Sequence, residues 1–470
     1  MKLGSSDISK VYLGSTEVPK AYLGSTVVYE SVVPFERQYL TFEALEAGTF
    51  QCTRACSYSL DNGATWVELA AATNTPELAQ GDKILWKATN TPNSTDGVGT
   101  FSSTGQYNAI GNPLSMRSGD NFKGVTTMPN NTYTFYKMFY GSTGLVNAEN
   151  IKLVCTTLRN YCYDRMFAYC SSLVSIPQLP STSLADYCYQ YMFASCTSLN
   201  TAPTLSATTL KQYCYTGMFQ NCTSLTTTPS LPATTLANWC YGGMFIGCTS
   251  LTTTPTLSVT TINVSNTYRQ MFRGCTGLTT ATAISATSGT GTGIFQEMFY
   301  GCTSLTTAPV LSLTVANTQM CQQMFYNCTS LTDASNITIS SLSGNYPLKE
   351  MFRGCSSLVS APTLSATTLS YGCYQNMFYD CKALETAPAL PALTLTNYCY
   401  EQLFRGCSKL KYIKCLAITR TAGSCLNNWV NGVQTSSGTF VKHADTTWSR
   451  GNGACPNNWT IEDDPNTITQ

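Results

Sequence analysis

Charge is what this chain has least of. Only 11% of its 470 residues are Asp, Glu, Lys or Arg, and they nearly cancel, to +1, where globular proteins carry about a quarter. Composition supplies no basic patch to grip a phosphate backbone, so no nucleic-acid partner is expected. A single histidine, His443, leaves nucleophile–base chemistry without an oriented imidazole, and a solvated loop position is expected for it. No run approaches the ~18 apolar residues of a spanning helix, so no membrane insertion is expected. The opening "MKLGSSDISKVYLGS" lacks the apolar stretch of a secretory signal. The expectation is a chain that folds in the cytoplasm, where thiols stay reduced. With so little charge, the surface must be made of Thr, Ser, Asn, Gln and Tyr.

What is present is cysteine, 23 of them, and a repeat. "YCYQYMFASCTSL", from Tyr187, returns as "YCYTGMFQNCTSL" from Tyr213, "WCYGGMFIGCTSL" from Trp239 and "YCYEQLFRGCSKL" from Tyr398. With the Met of Met-Phe as position 0, the pattern falls at Met138, Met166, Met192, Met218, Met244, Met271, Met298, Met324, Met351 and Met377, with Leu403 in the last copy. Intervals of 26 to 28 residues define a solenoid whose rungs bury one another's apolar faces.

Positions −4, 0 and +4 (Cys188, Met192, Cys196) fall four apart, which predicts a short helix in each rung with Tyr189 and Phe193 widening its apolar stripe. Positions −2 and −1 are then expected to point outward. Leu at +7, as in Leu173 and Leu410, and Leu or Ile at +13, as in Leu179 and Ile284, predict a short strand that Pro at +11 ends. On that strand +8, +10 and +12 should face away from the core: Thr226, Thr228, Ser230, then Thr252, Thr254, Thr256, and later Thr306, Ala308, Val310. Ten rungs at the strand spacing would make a rod or arc about 45 Å long.

These rungs resemble the BspA-like leucine-rich repeats of bacterial surface proteins and the Met-Phe-x-x-Cys-x-Ser-Leu repeats of mycoplasma lipoproteins. The resemblance covers about 138–415. It implies a right-handed solenoid used in surface recognition.

The cysteines read as core. If those at −4 and +4 were bonded, they should be lost together. Yet −4 is Thr267, Ile294, Met320 and Pro347 in four copies, while +4 stays Cys275, Cys302, Cys328 and Cys355. Residues eight apart on a helix are also ~12 Å apart along its axis, beyond disulfide reach. No disulfides, no metal and no cofactor are expected.

Four segments follow. Residues 1–35 hold Leu-Gly-Ser decapeptide β-repeats, at 3–5, 13–15 and 23–25, too short for a core and therefore suited to docking. Residues 36–129 alternate as a small β-sandwich, with "SLDNGATW" supplying a turn. Residues 130–415 form the solenoid of ten to eleven rungs. Residues 416–470 form a C-terminal β cap carrying Trp429, Trp448 and Trp459, either buried or exposed toward a sugar ring.

In this order the segments resemble tail or appendage proteins of phages that infect gut Bacteroidetes, crAss-like phages among them. The resemblance implies a non-enzymatic virion protein, assembled in the host cytoplasm. It would dock to other virion proteins through residues 1–35, with a homo-oligomer as one arrangement, and present the solenoid to a host-surface glycan or protein. A bacterial adhesin with the same repeats, at the extracellular surface, is the alternative. A polysaccharide-cleaving tailspike would need a carboxylate pair across a groove, and the acidic residues are scattered. The candidate ligand surface joins Tyr187, Tyr213, Trp239 and Tyr398 at −5 to Thr226, Thr228, Thr252 and Thr254 on the strand. Aromatic planes beside hydroxyls suit saccharides or a flat protein surface.

Overall fold

The computed structural model describes residues 35–434 and 436–467, the side chain of Glu36 apart, and the backbone of six short strands before them. These six pair as hairpins: β1 (Lys2–Leu3) with β2 (Ser6–Asp7), β3 (Tyr12–Leu13) with β4 (Thr16–Glu17), and β5 (Lys20–Leu23) with β6 (Thr26–Glu30). The side chains and linking residues on which docking through residues 1–35 would depend lie outside the described residues.

Eight strands build the next layer: β7 (Leu40–Ala44), β8 (Phe50–Cys52), β9 (Cys56–Ser59), β10 (Val67–Leu69), β11 (Lys83–Lys87), β12 (Phe101–Ser103), β13 (Tyr107–Ile110) and β14 (Leu145–Asn147). Six of them make one sheet in the order β10-β9-β11-β7-β13-β14, and β12 pairs with β8. The β9–β10 hairpin turns at Asn62 and Gly63, both with positive φ, while the Asp61 carboxylate accepts the Thr65 N–H at 2.9 Å. A short helix, α1 (Ser115–Ser118), follows β13.

Phe42 sits at the centre of this core, its ring 4.8 Å from Tyr107 and 4.9 Å from Phe101. The same ring lies 5.9 Å from Phe139 of the first rung. β14 itself belongs to that rung and pairs in parallel with β13. The expected break at 129/130 is therefore bridged by sheet and by core. The first rung carries Ser142 in place of cysteine because its hydroxyl meets the Tyr107 hydroxyl, 2.8 Å away.

The rungs differ from the expected helix. Each is a succession of four-residue turns, with left-handed φ at −5, −1 and +3 in all twelve rungs from Met138 to Trp429; in one rung these are Tyr187 (59°), Tyr191 (51°) and Ser195 (59°). A left-handed residue every fourth position sends alternate N–H groups in different directions. Even positions bond within the rung, as Met192 N–H does to Tyr189 O at 3.2 Å, and odd positions bond to the next rung, as Phe193 N–H does to Met218 O at 3.0 Å. The inter-rung bonds offset the roughly 1–2 kcal/mol that a side chain pays in the left-handed region.

The strand is also displaced from its expected place. Where strands form in the middle of the array they run over +13 to +15 or close to it: β15 (Leu311–Leu313), after Pro309, β16 (Ile337–Ile339), after Ser335, and β17 (Thr363–Leu364), after Pro362, pair in parallel. Elsewhere neighbouring rungs meet through isolated bridges such as Thr209 with Thr235. Proline at +11 thus precedes the strand it was expected to end.

Columns 0, +1, +4 and +7 are buried throughout the interior. The Phe column runs unbroken from Phe139 to Phe404 with ring centroids 5.2 to 5.8 Å apart. All 23 cysteines are free thiols and all are buried. In ten rungs the +4 thiol donates to the carbonyl of the +1 Phe in the rung before, at 3.0 to 3.2 Å, as Cys248 does to Phe219. That carbonyl also accepts the N–H of its own rung's +4 residue, which uses both lone pairs. The +4 cysteine is thus a link between rungs, whereas −4 is a packing position that Thr267, Ile294, Met320 and Leu348's neighbour Pro347 fill equally well.

The array does not stop at 415. β18 (Tyr412–Cys415), β19 (Thr439–Lys442) and β20 (Thr460–Asp463) pair in parallel, and Trp429 occupies position 0 of a further rung, its carbonyl accepting from Phe404 N–H at 2.8 Å. The expected separate cap is a continuation of the stack. Trp429, Trp448 and Trp459 are all buried, the first with its Nε1 donating to Ala454 O at 2.8 Å. His443 is largely buried too, its Nδ1 accepting from Asp445 N–H at 3.2 Å, in place of the solvated loop expected.

Candidate functional site

The outer columns of the array decide what a partner would meet. Tyr187, Tyr213 and Trp239 at −5 do stack, with centroids 4.7 and 5.9 Å apart, and Tyr133 and Tyr161 extend the stack below them. Tyr398 is not part of it. It packs instead with Tyr371 at 5.3 Å, which meets Tyr346, because −5 is Asn266, Gly293 and Gln319 in the rungs between. Within the first stack the rings lie nearly parallel, at 8 to 12°, so neighbours cover their faces. Even the outer face of Trp239 lies under the Arg269 guanidinium, 5.2 Å from its centroid. A partner would meet edges and hydroxyls, not the aromatic planes expected from sequence.

The threonine face is real but shifted. Thr226 and Thr252 at +8 are exposed, whereas Thr228 is half-buried and Thr254 is buried, bonded to the Thr282 hydroxyl at 3.0 Å. The side chains do not alternate because the strand begins beyond these positions. At +8 the hydroxyls also bond along the array, Thr279 to Thr252 O at 3.3 Å and Thr332 to Thr306 O at 3.0 Å.

Positions −2 and −1, expected to be exposed, are half-buried or buried, Asp164, Gln296 and Glu350 among them. Neighbouring rungs are close enough that each side chain covers the one before it. They form a polar ladder: Gln270 donates to Glu297 at 3.0 Å, Gln323 to Glu350 at 2.6 Å and Gln375 to Glu401 at 2.5 Å. Arg273 pairs with Glu297, and Arg353 with Glu350 at 3.1 Å.

Beside this ladder runs a column at +2 that sequence reading did not single out. Arg273 lies 4.4 Å over Tyr300, Tyr300 stacks on Tyr326 at 4.6 Å, and Arg353 lies 4.4 Å over Tyr379, itself 5.3 Å from Arg405. Tyr and Arg are the residue types enriched at protein-recognition surfaces. Reading position +2 down the sequence would have found them, since it changes from rung to rung while 0, +1 and +4 do not. Among the described residues no group of three or more His, Cys, Asp or Glu is placed to hold a metal, and no helix is long and apolar enough to cross a membrane.

Six overlapping copies of the model for the BspA type leucine rich repeat region match residues 117–244, 143–279, 216–332, 241–359, 290–411 and 335–431, more than half of the chain. The chain belongs to the BspA-type leucine-rich repeat family. No curated protein matches it. Among solved structures it is similar to a leucine-rich repeat protein from Bacteroides ovatus ATCC 8483, at 19% identity over 65% of this chain and 81% of that one, with a TM-score of 0.35. BspA-type repeats extend here into the first rung's contact with the sheet and the Trp429 rung.

Proposed function

We propose that this BspA-type array is a non-enzymatic binding protein that presents its outer columns to a cell-surface glycan or protein. In this reading it serves as a tail or appendage component of a phage virion. The observation that carries the binding role is the contrast between columns. Those facing inward repeat with almost no change for eleven rungs, while −1 and +2 take side chains of different size, charge and hydrogen bonding along the array. A stack bonded from rung to rung holds these varied side chains at fixed spacing, so little entropy is lost on binding. The low charge of the surface favours contacts that depend little on salt. The placement in a virion, with residues 1–35 as the docking segment, rests on the sequence resemblance. An adhesin on a bacterial surface would use the same outer columns.

Two variants test the proposal. Deleting residues 1–35 is expected to leave the array folded and to prevent incorporation into particles; normal incorporation would argue for the adhesin. Trp239→Ala is expected to weaken attachment to the host surface several-fold while melting stays within a few degrees of the parent. Attachment that is unchanged, or lost only with unfolding, would assign Trp239 to packing alone.

A further inference from the structure

Position +2 is Tyr140, Gln220, Ile246, Arg273, Tyr300, Tyr326, Arg353, Tyr379 and Arg405 in nine rungs, but alanine in two consecutive ones, Ala168 and Ala194. Where the column of larger side chains is interrupted, the surface has a notch of about 220 Å³. Both alanines are buried and form an apolar floor. Tyr169, 51% exposed, stands at the edge of this floor, braced from below by Tyr140 with centroids 5.1 Å apart. Arg165, Tyr191, Ser195, Gln220 and Asn221 complete the rim.

Two of the rim groups are fixed before any ligand arrives. The Tyr191 ring has Arg165 over one face at 4.8 Å, and it packs onto Gly217 of the next rung so closely that a Cβ there would lie 2.1 Å from the ring. The Asn221 amide lies likewise over Gly247, 2.4 Å from where a Cβ would be. Glycine in the following rung is what admits each side chain, and held side chains lose little freedom on binding.

We propose that this notch is a saccharide site that takes one neutral pyranose ring at the end of a surface glycan. The proposal rests on the recognition reading above and names its ligand class. An apolar floor beside a Tyr ring matches the C–H face of a sugar, while guanidinium, amide and hydroxyl groups around the rim match its hydroxyls in both donor and acceptor sense. The volume lies below the about 300–1,000 Å³ of pockets for drug-sized ligands, which suits one ring and excludes an enclosed chain. The Arg165 guanidinium is already paired with the Asp164 carboxylate at 2.7 Å, so no unpaired cation selects an anionic sugar.

The test is calorimetric titration of the full chain with methyl glycosides of glucose, galactose, mannose and N-acetylglucosamine, and with methyl glucuronide. The same protein is also assayed on immobilised bacterial polysaccharides. The double variant Ala168→Tyr/Ala194→Gln fills the notch with the residues that Tyr140 and Gln220 supply in flanking rungs, so the fold should accept it. The parent is expected to bind at least one neutral glycoside. The filled variant should lose at least tenfold in affinity at an unchanged melting temperature, and Tyr169→Ala, an exposed position, should lose a similar factor. Equal binding by parent and filled variant, binding of the glucuronide alone, or no binding of any glycoside would overturn the proposal. If polysaccharide attachment persists unchanged in the filled variant, the notch assignment fails and the recognition role stands. If the parent attaches to no polysaccharide and no cell surface, both fail.

Discussion

Met244→Asp should abolish cooperative folding of the array around its fifth rung. Met244 is fully buried in the hydrophobic core of the array. Removing its side chain costs about 2–5 kcal/mol in lost burial and cavity, and a carboxyl group placed there has no partner, which adds several more. The sum rivals the roughly 5–15 kcal/mol by which a domain is stable. Because each rung contacts mainly its neighbours, the damage should divide the stack at this point. Met244→Leu is the control: Leu403 fills the same position in another rung, and a volume-conserving change should cost less than about 1.5 kcal/mol. Thermal unfolding of both variants checks this. A parental melting curve for Met244→Asp would mean that the position faces solvent and that the columns are misassigned.

The thiols should be silent in the native protein and fully reactive after unfolding. Labelling requires thiolate, and burial pushes the Cys222, Cys275 and Cys328 thiols up from 9.0 to about 12. A thiol reagent under native, non-reducing conditions should therefore label few groups, and denaturant should expose all 23. A denatured count near zero would mean disulfides. The same shifts set the response to alkali. These thiols keep their protons in the folded state to about pH 12 but lose them above about pH 9 when unfolded, so between these limits the native chain binds more protons. Stability is undiminished below pH 9 and falls as pH rises, each such group contributing a slope of up to about 1.4 kcal/mol per pH unit. With thiols of this kind in nearly every rung, unfolding should set in steeply above pH 9. Replacing Cys222, Cys275 and Cys328 by alanine should reduce the slope, at a cost in stability at neutral pH.

The columns of the array were legible because they repeat: Met192, Phe193, Cys196 and Leu199 are buried as their recurrence predicts. Their backbone was not. A spacing of four lies close to the 3.6 residues of a helical turn, but over Cys188, Met192 and Cys196 a helix would drift by about 80°, and all three are fully buried. The distinguishing signal was the +3 column, where Gly247, Gly274, Gly301, Asn327, Gly354 and Asp380 supply residue types that tolerate positive φ. The role of the +4 thiols shows only in the folded array, since a bond from Cys248 to the carbonyl of Phe219 leaves only a recurring cysteine in the sequence. So does the polar ladder. Gln323 and Glu350 read as solvated until a neighbouring rung covers them. Of the candidate ligand residues, Thr226 and Thr252 are exposed as expected, whereas the ring faces of Tyr187 and Trp239 are covered, because stacking along the array consumes them. The Ala168–Ala194 notch was visible in the sequence as two small residues in a column of large ones.

The central structural claim is that rungs are turns bonded to their neighbours and that the described residues contain almost no α-helix. Amide infrared spectroscopy of the intact protein, followed through exchange into heavy water, tests it most directly. The account predicts no helical band beyond what the four residues of α1 could supply, together with slow exchange of the inter-rung amides until the array unfolds. A strong helical band that exchanges rung by rung would contradict it.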